Sequence, residues 1–148
     1  VNSVLYDDIY SKFLLKITDY NFASLNPNDA YEMMKGYLHS AVAVPYISKI
    51  FSSITFDDEI LTLTYELKNE IFKNGDIDYV TNILAIGMVI QWLEPQVKSV
   101  LHTLQMFGGK EEKFYSQAAH LSELKSLLKD CKVELRKMIR DRGYIANS

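Results

Sequence analysis

Cysteine is almost missing from this chain. Cys131 stands alone, so no internal disulfide can staple the fold. On the apolar side of a helix it reads as a small core residue. The longest apolar run, Ile83 to Leu93, is too short to span a bilayer. The first residues lack the charged-then-apolar layout of a secretory signal. The protein is therefore expected to be soluble, made in a reducing compartment and free of membrane contact. Prolines and glycines are few, and there is no internal repeat, low-complexity segment or domain linker. The net charge of −3 excludes a global attraction to nucleic acid, and no concentrated basic face stands out.

Recognisable chemistry is scarce too. His39, His102 and His120 lie far apart, with no HExxH, paired cysteine or short histidine–carboxylate spacing to suggest a metal site. His120 lies near an apolar seam, where a hydrogen-bonded structural histidine is commoner than a ligand. Gly108-Gly109-Lys110 lacks the spaced glycines, preceding strand and following Ser or Thr of a phosphate loop. Asp57-Asp58-Glu59 lacks calcium-loop spacing and reads as an acidic turn. Ser116 has no GxSxG context. No catalytic residue, cofactor or metal is expected, and the protein is expected not to be an enzyme.

What is present is a core. A chain of 148 residues, 48% apolar and 24% charged, suits one globular domain. Ten tyrosines either rim that core or serve an interface. Charge is uneven. Acids dominate from Thr55 to Val80, while Lys132, Arg136, Lys137, Arg140 and Arg142 make the C-terminal end basic. Such polarity suits head-to-tail assembly; two solvated faces are the plain alternative.

The periodicity predicts mainly α structure: a helical bundle with one long C-terminal helix. Val4, Leu5, Ile9, Phe13, Leu14 and Ile17 predict a one-faced helix over 4–18, ending at Asp19-Tyr20-Asn21. Asn26-Pro27 opens a second helix, which Pro45 interrupts. Residues 54–67 alternate and are threonine-rich, which suggests a small β-hairpin turning at Asp57-Asp58-Glu59; a helix from Asp57 onward competes. After a break at Asn74-Gly75, Asp76 can cap a helix apolar almost all round, expected at the centre of the domain. Gly87 either permits close approach of another helix or merely costs stability. Pro95 kinks or ends this helix, a shorter one follows over Gln96 to Met106, and Gly108-Gly109 ends that. Trp92 is expected to fill the junction with the last helix.

That last helix spans about 110–142. Phe114, Ala118, Leu121, Leu124, Leu128, Cys131, Leu135 and Met138 recur at threes and fours, forming a narrow seam. At ~1.5 Å per residue it reaches roughly 45 Å or more. The expectation is one domain over 1–148, with the helix end and tail, about 132–148, projecting.

Two stretches carry a resemblance. The run Ile83-Leu84-Ala85-Ile86-Gly87-Met88-Val89-Ile90-Gln91-Trp92-Leu93-Glu94-Pro95-Gln96, with Phe114-Tyr115-Ser116-Gln117-Ala118-Ala119-His120-Leu121, resembles neck proteins of long-tailed bacteriophages, the head–tail connectors or adaptors. The opening Tyr6-Asp7-Asp8-Ile9-Tyr10 and Ile17-Thr18-Asp19-Tyr20 extend it. Gln91 and Ala119 depart from the Glu and Asn common at those places. The resemblance implies a structural virion protein, made in the bacterial host cytoplasm and located in the neck between capsid and tail. It implies a ring, usually of twelve copies, docked under the portal protein. That ring continues the DNA channel toward a stopper or tail-terminator protein, and genomic DNA passes without specific binding.

By position in such adaptors, Arg136, Lys137, Arg140, Arg142, Tyr144 and Ile145 would dock on the portal. Asp57, Asp58, Glu59 and Lys132 would be subunit-interface candidates, and Trp92, Pro95, Tyr115, His120 and Leu121 structural core. A stopper or tail-completion protein of the same neck is the nearest alternative. A non-viral adaptor binding a partner helix is a second. A small-molecule enzyme is a third, and would need a deep pocket joining a histidine to carboxylates.

Overall fold

The computed structural model describes residues 2–17, 27–72, 76–107 and 111–146, without the side chains of 103–107, 111–117, 144 and 146. Those residues form five helices and three strands. In chain order these are β1 (Asn2–Leu5), α1 (Tyr6–Lys16), α2 (Pro27–Ala43), α3 (Pro45–Ser48), β2 (Phe51–Asp57), β3 (Thr62–Leu67), α4 (Ile77–Phe107) and α5 (Glu111–Ala146). The protein is mostly helical with a small antiparallel sheet.

The centre is α4. Val80, Ile83, Leu84, Ala85, Ile86, Met88, Val89 and Leu93 are all buried, so every side of this stretch of the helix is covered. α1 and α2 pack on it, and α5 runs back along it. Asp76 meets Arg142 at one end of this helical pair and Glu94 meets Lys132 further along, so α4 and α5 are antiparallel. The expected seam on α5 is the face that docks: Leu121, Leu124 and Leu135 are buried, with Leu128, Cys131 and Met138 packed beside them. Burial pushes the Cys131 thiol up from its ordinary value, in keeping with a packed, unreactive residue.

Gly87 explains how the layers close. A Cβ there would lie 2.7 Å from Ile47 Cδ1 and 2.9 Å from Ala41 Cβ. The glycine lets the α2–α3 corner sit directly on α4, so of the two readings of Gly87 close approach is the one realised. Pro45 stands at the first turn of α3, where its missing N–H costs nothing.

The sheet has the order β1-β3-β2. The hairpin expected over 54–67 is present: β2 and β3 pair antiparallel from Phe51↔Leu67 to Asp57↔Thr62, with a register shift between Phe51 and Ser53. Alternation along β3 puts Leu63 and Tyr65 inside.

Several expectations need correction. Residues 2–5 form an edge strand paired with β3, so Val4 and Leu5 do not open the helix expected over 4–18. Residues 2–5 sit opposite Tyr65 to Thr62, and long-range pairing of this kind overrides a helical hydrophobic pattern. α4 continues through Pro95 as one helix of 31 residues, about 46 Å long at ~1.5 Å per residue. Pro95 is exposed and removes one N–H from the ladder, while the Gln96 side chain donates to the Trp92 carbonyl in the same turn at 3.1 Å. As far as Arg142, the stretch of α5 expected to project is packed on its own subunit. Leu135 is buried, Met138 and Ile139 pack against the core, and Arg142 turns inward. The helix ends expected at Asp19-Tyr20-Asn21 and Gly108-Gly109, the cap at Asn26 and the break at Asn74-Gly75 lie outside the described residues.

Trp92 is 9% exposed, and its ring meets Phe13 of α1 edge-on, with centroids 6.4 Å apart. This ring contact joins α4 to α1. Trp92→Ala is expected to cost about 3–5 kcal/mol. Gly87→Ala is expected to cost about 1–2 kcal/mol, because crowding Ala41 and Ile47 outweighs the better helix propensity. Both losses are measurable as lowered midpoints in urea.

Candidate functional site

Three polar arrangements stand out on this scaffold. The first joins the hairpin to α1 and α2. The Tyr6 hydroxyl donates to Asp58 Oδ1 at 2.7 Å, and His39 Nε2 lies 3.1 Å from the same oxygen. The His39 ring stacks on Phe56, with centroids 3.8 Å apart. Hydrogen bonds from Tyr6 and His39 hold the Asp58 carboxyl below its usual range. Burial, then Asp58, pushes the Tyr6 phenol up. This is a histidine beside a carboxylate, but both are partly exposed at the surface rather than joined in a deep pocket. Its geometry ties three elements together.

The second arrangement is a clamp. Asp76 carries a φ of 54°, a left-handed conformation that Asp tolerates better than most residues. Its carbonyl accepts the Val80 N–H at 3.0 Å, as a helix start requires. Its carboxylate accepts the N–H groups of Ile71 at 2.8 Å and Phe72 at 2.9 Å, in the segment before the helix. Arg142 of α5 completes the set: its guanidinium pairs with the Asp76 carboxylate and donates to the Asn69 carbonyl at 2.8 Å. The guanidinium also lies over the Tyr79 ring, 4.5 Å from its centroid. The side chains are 12% and 1% exposed, so this is a buried pair.

The third is a half-open groove of about 170 Å³ where α2–α3, α4 and α5 meet. Val44, Ile47, Ile90 and Leu135 give it an apolar floor. Gln91, Glu94, Lys132 and Arg136 wall it, with Lys132 Nζ 3.5 Å from Glu94 Oε1. The groove exists because Gly87, which also lines it, brings Ile47 down onto α4.

The expected site residues divide among these features. Arg136, Lys137 and Arg140 are exposed on α5, and Ile145 is 61% exposed. Arg142, placed with them by position, is committed to the clamp instead. Asp57, Asp58 and Glu59 sit together on the β2–β3 turn, far in sequence from Lys132 at the groove. Leu121 is buried as expected, at 8% exposure. His120 is not core: it is exposed, one position off the α5 seam and turned to solvent. The side chains of Tyr115 and Tyr144 lie outside the described residues.

Sequence reasoning missed both the clamp and the Tyr6–Asp58–His39 cluster. Their members are separated by 66 and 52 residues, with no local pattern to signal them. Among the described residues no group of His, Cys, Asp and Glu is arranged to hold a metal ion, and no helix is long and apolar enough to cross a membrane. In comparisons with protein-family models, curated proteins and solved structures, nothing matches this chain.

The clamp makes a test in acid. Burial pushes the Asp76 carboxyl up, but the Ile71 N–H, Arg142 and the Phe72 N–H outweigh it and hold it below the ordinary value. An unfolded Asp titrates at about 3.9. The clamp's contribution is therefore complete above that value and lost as pH falls through the lower folded one. Asp76→Asn is expected to flatten stability against pH below about pH 4, read by urea unfolding. Arg142→Met is expected to cost about 3–5 kcal/mol near neutrality, because it strands a buried carboxylate.

Proposed function

We propose that this protein is a structural component of a tailed-bacteriophage neck. It forms a ring under the portal protein, extends the DNA channel and links the capsid to the stopper or tail. The observation that carries the reading is the resemblance of Ile83–Gln96 and Phe114–Leu121 to head–tail connectors. These segments lie on the two longest helices, α4 and α5, which pair along their length. Such a helical hairpin is a stiff post, suited to transmitting position between two larger assemblies.

Charge supports the same reading. Lys137 and Arg140 are exposed together near the end of α5, available to an acidic or polar partner surface. The net charge of −3 suits a conduit through which DNA slides, since phosphate-binding bases would hold it. The inward turn of Arg142 narrows the portal-facing set to Lys137, Arg140 and Ile145, with Arg136 at the edge of the groove.

The test is location. Gold-labelled antibody against the chain is expected at the head–tail junction of purified virions. Absence from particles, or label on the capsid shell or tail fibres, would remove the reading. Lys137→Glu with Arg140→Glu is expected to leave the unfolding midpoint unchanged while abolishing attachment to portal-bearing heads, scored by co-sedimentation.

A further inference from the structure

The β2–β3 turn presents an unusual surface. Asp57, Asp58 and Glu59 are exposed, and the next two residues, Ile60 and Leu61, are 65% and 41% exposed. This is an aliphatic side chain held out in water behind an acidic edge. The turn is not slack. The Asp57 carboxylate accepts the Glu59 N–H at 3.1 Å and the Ile60 N–H at 3.3 Å. Asp58 is fastened to Tyr6 and His39, and the Leu61 carbonyl accepts the Tyr6 N–H at 2.9 Å. Ile60 therefore stands on a braced platform.

The groove is hollow where the turn protrudes, and among its charged residues Lys132 and Arg136 outnumber Glu94, which pairs with Lys132. Its floor is aliphatic, its α5 wall carries Lys132 and Arg136, and its volume is about 170 Å³. An aliphatic-lined void of roughly 150 Å³ takes a benzene-sized group, so the end of an isoleucine fits. The turn cannot reach the groove of its own subunit. β2 leaves the groove end of the fold just after α3 and finishes at the turn, and its seven residues at ~3.3 Å each separate the two by roughly 20 Å.

We propose that the β2–β3 turn of one copy docks in this groove on a second copy, with Ile60 on the apolar floor and Glu59 against Arg136. The two patches differ, so the contact is heterologous. Each copy offers a turn and a groove, and the contact propagates until a ring closes or an open chain forms. One turn buries far less than the ~1,200–2,000 Å² of a stable interface, so a single contact is weak and closure strengthens the whole. The proposal deepens the connector reading and rests on it for ring closure, but the contact is tested without the particle.

The full chain carrying Ile60→Cys, Gln91→Cys and Cys131→Ser, mildly oxidised, is expected to give a ladder of dimers, trimers and longer species on non-reducing gels. Either cysteine alone gives dimers at most. Adding Glu59→Arg is expected to slow cross-linking about 5-fold, the scale of an exposed ion pair lost. Mixing that chain with one carrying Arg136→Glu in the same cysteine background restores the rate, because opposite charges face each other again. A double-cysteine chain with the wild-type circular dichroism spectrum and nothing beyond dimers would overturn the proposal, as would an unchanged rate for Glu59→Arg. If the cysteine pair disturbs that spectrum, Ile60→Asp decides by sedimentation velocity at high concentration. Self-association below wild type supports the contact, and equal sedimentation overturns it. Neck labelling without a ladder would remove this contact and leave the connector; a ladder from a chain absent from necks would do the reverse.

Discussion

A helix apolar around its whole circumference has no side to give to water, and α4 is such a helix from Val80 to Leu93. The four other helices answer to that demand. α1 and α2 cover part of it, α5 covers another with its seam of Leu121, Leu124 and Leu135, and the α2–α3 corner covers the rest. Gly87 is where the demand is most acute. A side chain there would hold Ile47 and Ala41 away and open the core. The groove used in the proposed self-contact is a by-product of that close approach, since Ile47 forms both the lid of the core and the floor of the groove.

Hydrophobic cover alone does not fix where the ends of the elements lie, and the polar clusters do that. The Asp76–Arg142 pair binds the end of α5 to the start of α4 and to the loop before it. Asp58 binds the hairpin turn to α1 and α2. One cluster is buried and the other partly exposed, so they differ in what they contribute. Breaking the buried pair strands a charge, whereas the exposed cluster mainly sets orientation.

Much of this was legible in the residues. The all-round apolar pattern from Ile83 to Leu93 marked the central helix, and the three–four steps from Leu121 to Met138 marked the docking face of the last one. The threonines and alternation of 54–67 marked the hairpin. What escaped is what depends on distant partners. Val4 and Leu5 read as the start of a helix because strand pairing with β3 leaves no local signature. Pro95 reads as a kink or an end of the helix; it is not an end, and the packing that carries α4 through it is not visible locally. Arg142 looked like one more surface base, since nothing near it announces Asp76. His120 shows the opposite limit: one residue's rotation on a helix separates the seam from solvent. The candidate site was only partly legible. Its acidic turn and basic helix were visible as charge runs, but their contrast in shape, a protruding isoleucine against a hollow, belongs to the folded molecule.

The position of α4 also bears on the order in which the chain takes shape during synthesis. β1, α1, α2, α3 and the hairpin all emerge from the ribosome before it, yet the surface most of them need is α4 itself. Until that helix is out, Phe13, Leu38 and Ile47 have little to bury against. The nascent N-terminal half is thus a sticky intermediate, and chaperone engagement should fall away once the stretch through Leu93 has cleared the exit tunnel.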